Sequence, residues 1–142
     1  MMLATSKIYQ TLIGNDTLIS MMTSMRESEV EDENMIFNDQ IPEEFQAAQY
    51  APIIRINHIQ ATMRSADNQY FAEKPSVLVS FWVKSLAQLE ELKPVIEKIL
   101  IDINYPLYNV DYEPDREASQ DNPENKLYIC RIYVHGIELT EE

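Results

Sequence analysis

Ser76-Val77-Leu78-Val79-Ser80-Phe81-Trp82-Val83-Lys84 runs directly into Ser85-Leu86-Ala87-Gln88. The first segment is β-branched and aromatic. It is apolar on both faces, with Val77, Val79, Phe81 and Val83 on one and Leu78 and Trp82 on the other. Such a pattern predicts a central strand covered from both sides. The second segment matches a capping box, in which Ser85 caps a helix and Gln88 reaches back. Leu86, Leu89, Leu92, Ile96, Ile99, Leu100 and Ile103 then form the apolar stripe of an amphipathic helix. Pro94 lies inside that stripe and is expected to kink or split the helix.

Working outward, Ile8, Leu12, Leu18, Ile19, Met22 and Met25 recur at helical spacing near the N-terminus. Thr5 or Ser6 is the expected first cap. A turn at Gly14-Asn15 leads to a second short helix capped by Asp16. Met35-Ile36-Phe37 reads as a short strand, and Pro42-Glu43-Glu44-Phe45 as a helical turn. In the strand spanning 52–60, Ile54 and Ile56 alternate with Arg55 and Asn57. Residues 105–112 and 127–135 complete the strands. The expected architecture is α+β: a mixed, mostly antiparallel sheet of four to five strands, with an N-terminal helix and one long amphipathic helix packed on it. One domain spans residues 1–142, with flexible loops expected at 26–34, 61–74 and 113–126.

Bulk composition excludes several functions. The 142 residues are 45% hydrophobic, enough for a real core. Asp and Glu number 24 against 11 Lys and Arg, a net charge of -13. Such a surface repels a phosphate backbone and an anionic membrane, so neither sequence-specific nucleic acid nor membrane is an expected partner. A basic protein partner, or a need for solubility before assembly, fits better. The single cysteine, Cys130, rules out an internal disulfide framework and suits a reducing cytosol. The first fourteen residues lack a long apolar segment or small-residue cleavage site, so no signal peptide is expected. With only Gly14 and Gly136, no glycine-rich phosphate cradle can be built.

Candidate chemistry is sparse. Cys130 and His135 are five apart on a strand and so point to opposite faces; His58 has no evident link to either. Asp111, Glu113 and Asp115 alternate like calcium-loop ligands. Arg116 and Asn122, however, stand where such a loop needs Gly and Glu. Glu27, Glu29, Glu31, Asp32 and Glu33 read as a self-repelling acidic loop that orders on binding if a metal or basic partner takes it. Met21, Met22 and Met25 read as the buried side of the N-terminal helices, and Trp82 as packing under a helix. Glu90 and Glu91 diverge on their helix and read as solvent-exposed. The sequence therefore supplies no catalytic, metal or cofactor site, and no enzyme activity is expected.

The order of these elements resembles that of the tail-terminator and tail-completion (head-tail joining) proteins of long flexible-tailed bacteriophages. The resemblance rests on pattern and length. It includes the apolar strand ending Phe81-Trp82-Val83-Lys84, the helix that follows, the Ile41-Pro42-Glu43-Glu44-Phe45 loop, the strand Pro52-Ile53-Ile54-Arg55-Ile56 and the acidic turn Asp111-Tyr112-Glu113-Pro114-Asp115. The acidic inserts at 27–33 and 119–125 have no counterpart in that pattern. The resemblance implies a virion structural subunit, present in the host cytoplasm during assembly. It would form a homo-oligomeric ring, commonly hexameric, against tail-tube and head-connector proteins. Loop residues Arg64, Asp67, Tyr70, Phe71, Glu43 and Glu44 are the expected interface, because loops order on binding. The competing expectation is a small-ligand or peptide-binding α+β domain without catalysis, recognisable by a pocket with convergent polar groups.

Overall fold

The computed structural model describes residues 3–26, 34–59, 65–66, 69–70, 76–118, 120 and 126–135. Helices α1 (Ala4–Ile13) and α2 (Asp16–Met25) precede strand β1 (Ile36–Asn38). Two 3₁₀ turns, Glu43–Phe45 and Ala48–Tyr50, lead to β2 (Ile53–Ile59). A separate two-stranded ladder pairs β3 (Ser65–Ala66) with β4 (Gln69–Tyr70). Strand β5 (Ser76–Val83), helix α3 (Leu86–Asp102), and strands β6 (Leu107–Pro114) and β7 (Tyr128–His135) follow.

The main sheet has the order β1-β2-β5-β7-β6. Only β1 and β2 are parallel; the other pairs are antiparallel. The expected α+β architecture is thus the observed one, and β5 is the middle strand of five. Cross-strand partners Ile54, Phe81 and Cys130 share one face, as do Ile56, Val79 and Ile132 one row along. All six are fully buried. Helix α1 covers β1 and β2, while α3 lies over β5, β7 and β6, and the two helices touch. Leu89, Leu92, Ile96, Ile99 and Leu100 of α3 meet Ile8 and Leu12 of α1 and Leu18 and Met22 of α2 in the same core.

Several local expectations need correction. Helix α1 starts at Ala4 without a side-chain cap, and Thr5 is buried inside it. Helix α2 is capped by Asn15 rather than Asp16: Asn15 Oδ1 accepts from Leu18 N at 2.9 Å. The box at Ser85 is half-made as expected. Ser85 Oγ accepts from Gln88 N, but Gln88 Oε1 accepts from Lys84 N, one residue before the cap. Pro94 does not split α3, which runs unbroken for 17 residues. Pro94 lies on the exposed side beside Glu90 and Glu91, where water can take the carbonyl that loses its donor. Leu86 leaves the buried stripe and is 46% exposed. Strand β6 continues through Glu113 and Pro114, two residues that read as loop.

Helix α3 stops in a Schellman motif. Asn104 adopts φ 67°, and Asn104 N and Tyr105 N donate to Ile101 O and Leu100 O. Asn tolerates this left-handed position better than most residues. Arg26 ties the far end of α2 to the entrance of β2: its Nε donates to Tyr50 O at 3.0 Å and its Nη2 to Pro52 O at 2.9 Å. The methionine reading holds for Met22, which is buried, while Met21 is half-buried against the same core.

Cys130 sits on the helix-covered face without a disulfide partner. Burial pushes its thiol from an ordinary 9.0 up to about 12, with opposing smaller influences from Lys93 and Glu97 of α3. The folded thiol holds its proton more tightly than the unfolded one, so its contribution to stability is whole below pH 9. That contribution is lost as the pH climbs towards 12.

Two predictions follow from this packing. Phe81→Ala should cost about 3–5 kcal/mol in urea unfolding, by lost burial plus cavity. Ile101→Ala, at a site 55% exposed, should cost less than about 0.5 kcal/mol. Equal costs for the two would mean that the Phe81 face is not the core. Native Cys130 should react with iodoacetamide at pH 8 at least about tenfold more slowly than in urea-unfolded protein, since a buried neutral thiol is a poor nucleophile. Equal rates would contradict its burial.

Candidate functional site

The helix-free face of the sheet is chemically different from the covered one. One row across it reads Ile53, Trp82, Ile129 and Glu113; the next reads Phe37, Arg55, Ser80, Arg131 and Asp111. Trp82 therefore faces away from the helices, contrary to the expectation that it packs under one. The alternation of β5 puts Phe81 under the helices, so its neighbour must point the other way. The loop between β1 and β2 folds partly across this face. Phe37 stacks on Phe45 at 6.0 Å between ring centroids, and Phe45 meets Tyr50 edge-on at 5.4 Å.

Between that loop and the turn after β6 lies a cavity of about 320 Å³. Ile41, Ile53 and Leu127 supply apolar wall; Arg55, Trp82 and Asp115 supply the chemistry. The Arg55 guanidinium lies over the indole, 5.0 Å from the ring centroid. On the other side of the site, Trp82 Nε1 donates to Asp115 Oδ2 at 2.7 Å, and Ala118 N donates to Asp115 Oδ1 at 3.2 Å. The indole is thus held at its edge by a carboxylate and covered on its face by a cation, which fixes both polar groups relative to the cavity.

Arg55 differs from Arg26 and Arg131, both of which donate hydrogen bonds. Its Nε is buried without a hydrogen-bond partner, and among the described residues no carboxylate forms an ion pair with it. Desolvation is the main influence on it and lowers its pKa, against favourable fields from Asp39 and Asp115. Ser80, its partner across the ladder, is fully buried and its Oγ also has no partner. Two strands away, Arg131 is paired: its Nη1 donates to Glu113 at 2.8 Å and to Asp111 at 3.1 Å. These bonds raise its pKa, Glu113 contributing most.

The acidic alternation read at Asp111, Glu113 and Asp115 is therefore divided. Two carboxylates serve Arg131 and the third serves Trp82, and no metal-ligating cluster occurs among the described residues. Cys130 and His135 do not meet. Cys130 faces α3, whereas His135 stacks on Tyr108 at 3.9 Å, with Tyr108 hydrogen-bonded to Ser76 at 2.8 Å. His58, Glu90 and Glu91 are exposed.

Of the expected interface residues, Glu43 and Glu44 stand exposed on the first 3₁₀ turn, beside the cavity wall at Ile41. Tyr70 lies on β4. Arg64, Asp67 and Phe71 fall outside the described residues, as do the acidic runs at 27–33 and 121–125. Sequence reading passed over Arg55, which looked like the wet side of a half-buried strand. The available signal was the two-sided apolar pattern of β5: a strand covered on both faces requires that Arg55, its neighbour across the ladder, be covered too.

No family model matches the sequence, and no curated protein matches it. Among solved structures, the fold is matched by a chain from the virion of a native gene transfer agent particle. The TM-score is 0.59 at 8% identity, and the match covers 94% of this chain and 96% of that one. At that identity the likeness is one of fold.

Proposed function

We propose that this chain is a virion structural protein of a tailed phage or phage-like particle. More specifically, we read it as a tail-terminator or head-tail joining subunit that forms a ring at the head-proximal end of the tail. The observation that carries this reading is the fold shared, over nearly the whole of both chains, with a component of a gene transfer agent virion. It agrees with the family pattern met independently in the sequence.

Other features support it. A ring needs a heterologous contact, in which two different surfaces of one subunit meet. The sheet has two unlike edges: three-residue β1 on one side and eight-residue β6 on the other. Strand β6 carries Tyr108 and Tyr112, 47% and 58% exposed, on an edge that no further described strand pairs. Asp111, Glu113 and Pro114 on the same strand discourage indiscriminate edge pairing. The net charge of -13 keeps unassembled subunits apart and repels DNA from a lumen they line. Tail-tube and head-connector proteins are the partners this role requires, and no chemical turnover is part of it.

Light scattering behind a sizing column tests the proposal across concentration and salt. The expected result is a discrete ring-sized species, a hexamer by the family pattern, or a concentration-dependent shift towards one. A strict monomer that also fails to bind tail-tube or connector protein would overturn it.

A further inference from the structure

We infer that the cavity beside Trp82 is a binding site for a single carboxylate presented by a protein partner, with the Arg55 guanidinium as its donor. The inference is carried by the unsatisfied chemistry of Arg55 and does not rest on the virion reading.

A guanidinium has five N–H donors in a planar fork that matches a carboxylate. In this protein acidic groups outnumber basic ones by 24 to 11, so an arginine has acidic neighbours in abundance. Arg131 shows the ordinary outcome, with two carboxylates on one nitrogen. Arg55 instead has a buried Nε without a partner and no ion pair among the described residues. It is nevertheless held in place by the Trp82 ring. A buried donor without an acceptor is destabilising. An incoming carboxylate would form charge-assisted hydrogen bonds with the guanidinium.

The surroundings select the ligand. Asp115 already accepts from Trp82 Nε1 and Ala118 N, so it is occupied as an indole anchor rather than as a counter-ion for Arg55. Together with Glu117 on the lining, it disfavours a phosphate dianion more strongly than a single carboxylate. Ile41, Ile53 and Leu127 offer apolar wall for the methylene stem of a glutamate or aspartate side chain. A volume of about 320 Å³ exceeds what a lone carboxylate fills and admits the side chain with part of its backbone. The donor at one end and the apolar wall around it are the usual composition of such a site.

Trp82 is the chain's one tryptophan, so its indole N–H gives a single reporter resonance in the ¹H–¹⁵N spectrum of the full chain. Acetate and inorganic phosphate are titrated at ionic strength matched with chloride. The peptide acetyl-Ala-Glu-Ala-amide is titrated against its Gln counterpart. The expected result is a saturable shift of the indole peak with acetate and, at least about tenfold tighter, with the Glu peptide, because the apolar wall adds contact. Chloride and the Gln peptide should leave it unmoved. Arg55→Gln should weaken the Glu peptide by at least about tenfold, as loss of a charge-assisted donor requires. Arg131→Gln, the same charge change on the same face, should bind as the parent does. Should Arg55→Gln lose its dispersed spectrum, Ala47→Glu replaces it: a carboxylate built into the cavity lining should abolish the acetate response. Equal weakening by Arg55→Gln and Arg131→Gln would reduce the effect to general charge and overturn the site. So would a non-saturable response, or a stronger one to phosphate. Equal affinity for acetate and the Glu peptide would overturn the assignment to a protein partner.

Discussion

Everything in this fold follows from burying a strand that is apolar on both sides. Phe81 and Trp82 are neighbours in the chain and point in opposite directions, and both are buried, at 0% and 8% exposure. A single layer of helices can satisfy only one of them. The helices α1 and α3 take the Phe81 side, where the aliphatic rows of β2, β5 and β7 meet their stripes. Among the described residues, no α-helix covers the Trp82 side. The chain solves this with loops, bringing the segment around Phe45 and the turn around Asp115 over the sheet. Loops carry more polar groups than helical stripes do, so the second layer is wetter and chemically richer than the first.

This asymmetry explains where the unusual chemistry sits. On the helix side, polar groups are all but absent, and the one reactive group, Cys130, is kept protonated by burial. On the loop side, Arg55 of β2 and Arg131 of β7 flank the buried Ser80 of β5, the strand between them. Arg131 lies near the β6 edge and finds its carboxylates on the neighbouring strand. Arg55 lies further in, stacked on the indole and beyond reach of the carboxylates that serve Arg131. The difference between the two is one of position in the sheet, since each has the same intrinsic chemistry.

The edges of the sheet bear on the proposed ring. A five-stranded sheet has two unpaired sides, and these two are unlike in length, direction and side chains. Unlike edges suit a head-to-tail contact, whereas a symmetric pair would meet through one edge used twice.

The sequence by itself determined the covered half of the protein. Alternation in β5, the stripe in α3, and the cap signal at Ser85 are local features that depend on a few neighbouring residues. They specified the fold class, the central strand and most of the core. Small errors arose where two adjacent residues compete for one job, as Asn15 and Asp16 do for the cap, or where solvent rescues a broken bond, as at Pro94. Tertiary structure alone decided the other half. Whether Arg55 is wet or enclosed, which carboxylate Trp82 anchors, and which acid pairs with Arg131 depend on residues far apart in the chain, 18 to 33 positions for the hydrogen-bonded pairs. Strand register and loop closure bring these together, and neither leaves a periodic trace in composition or spacing. For the same reason, the acidic alternation at Asp111, Glu113 and Asp115 looked like one motif. In space it is two arrangements, because a strand ends and a turn begins between its second and third members.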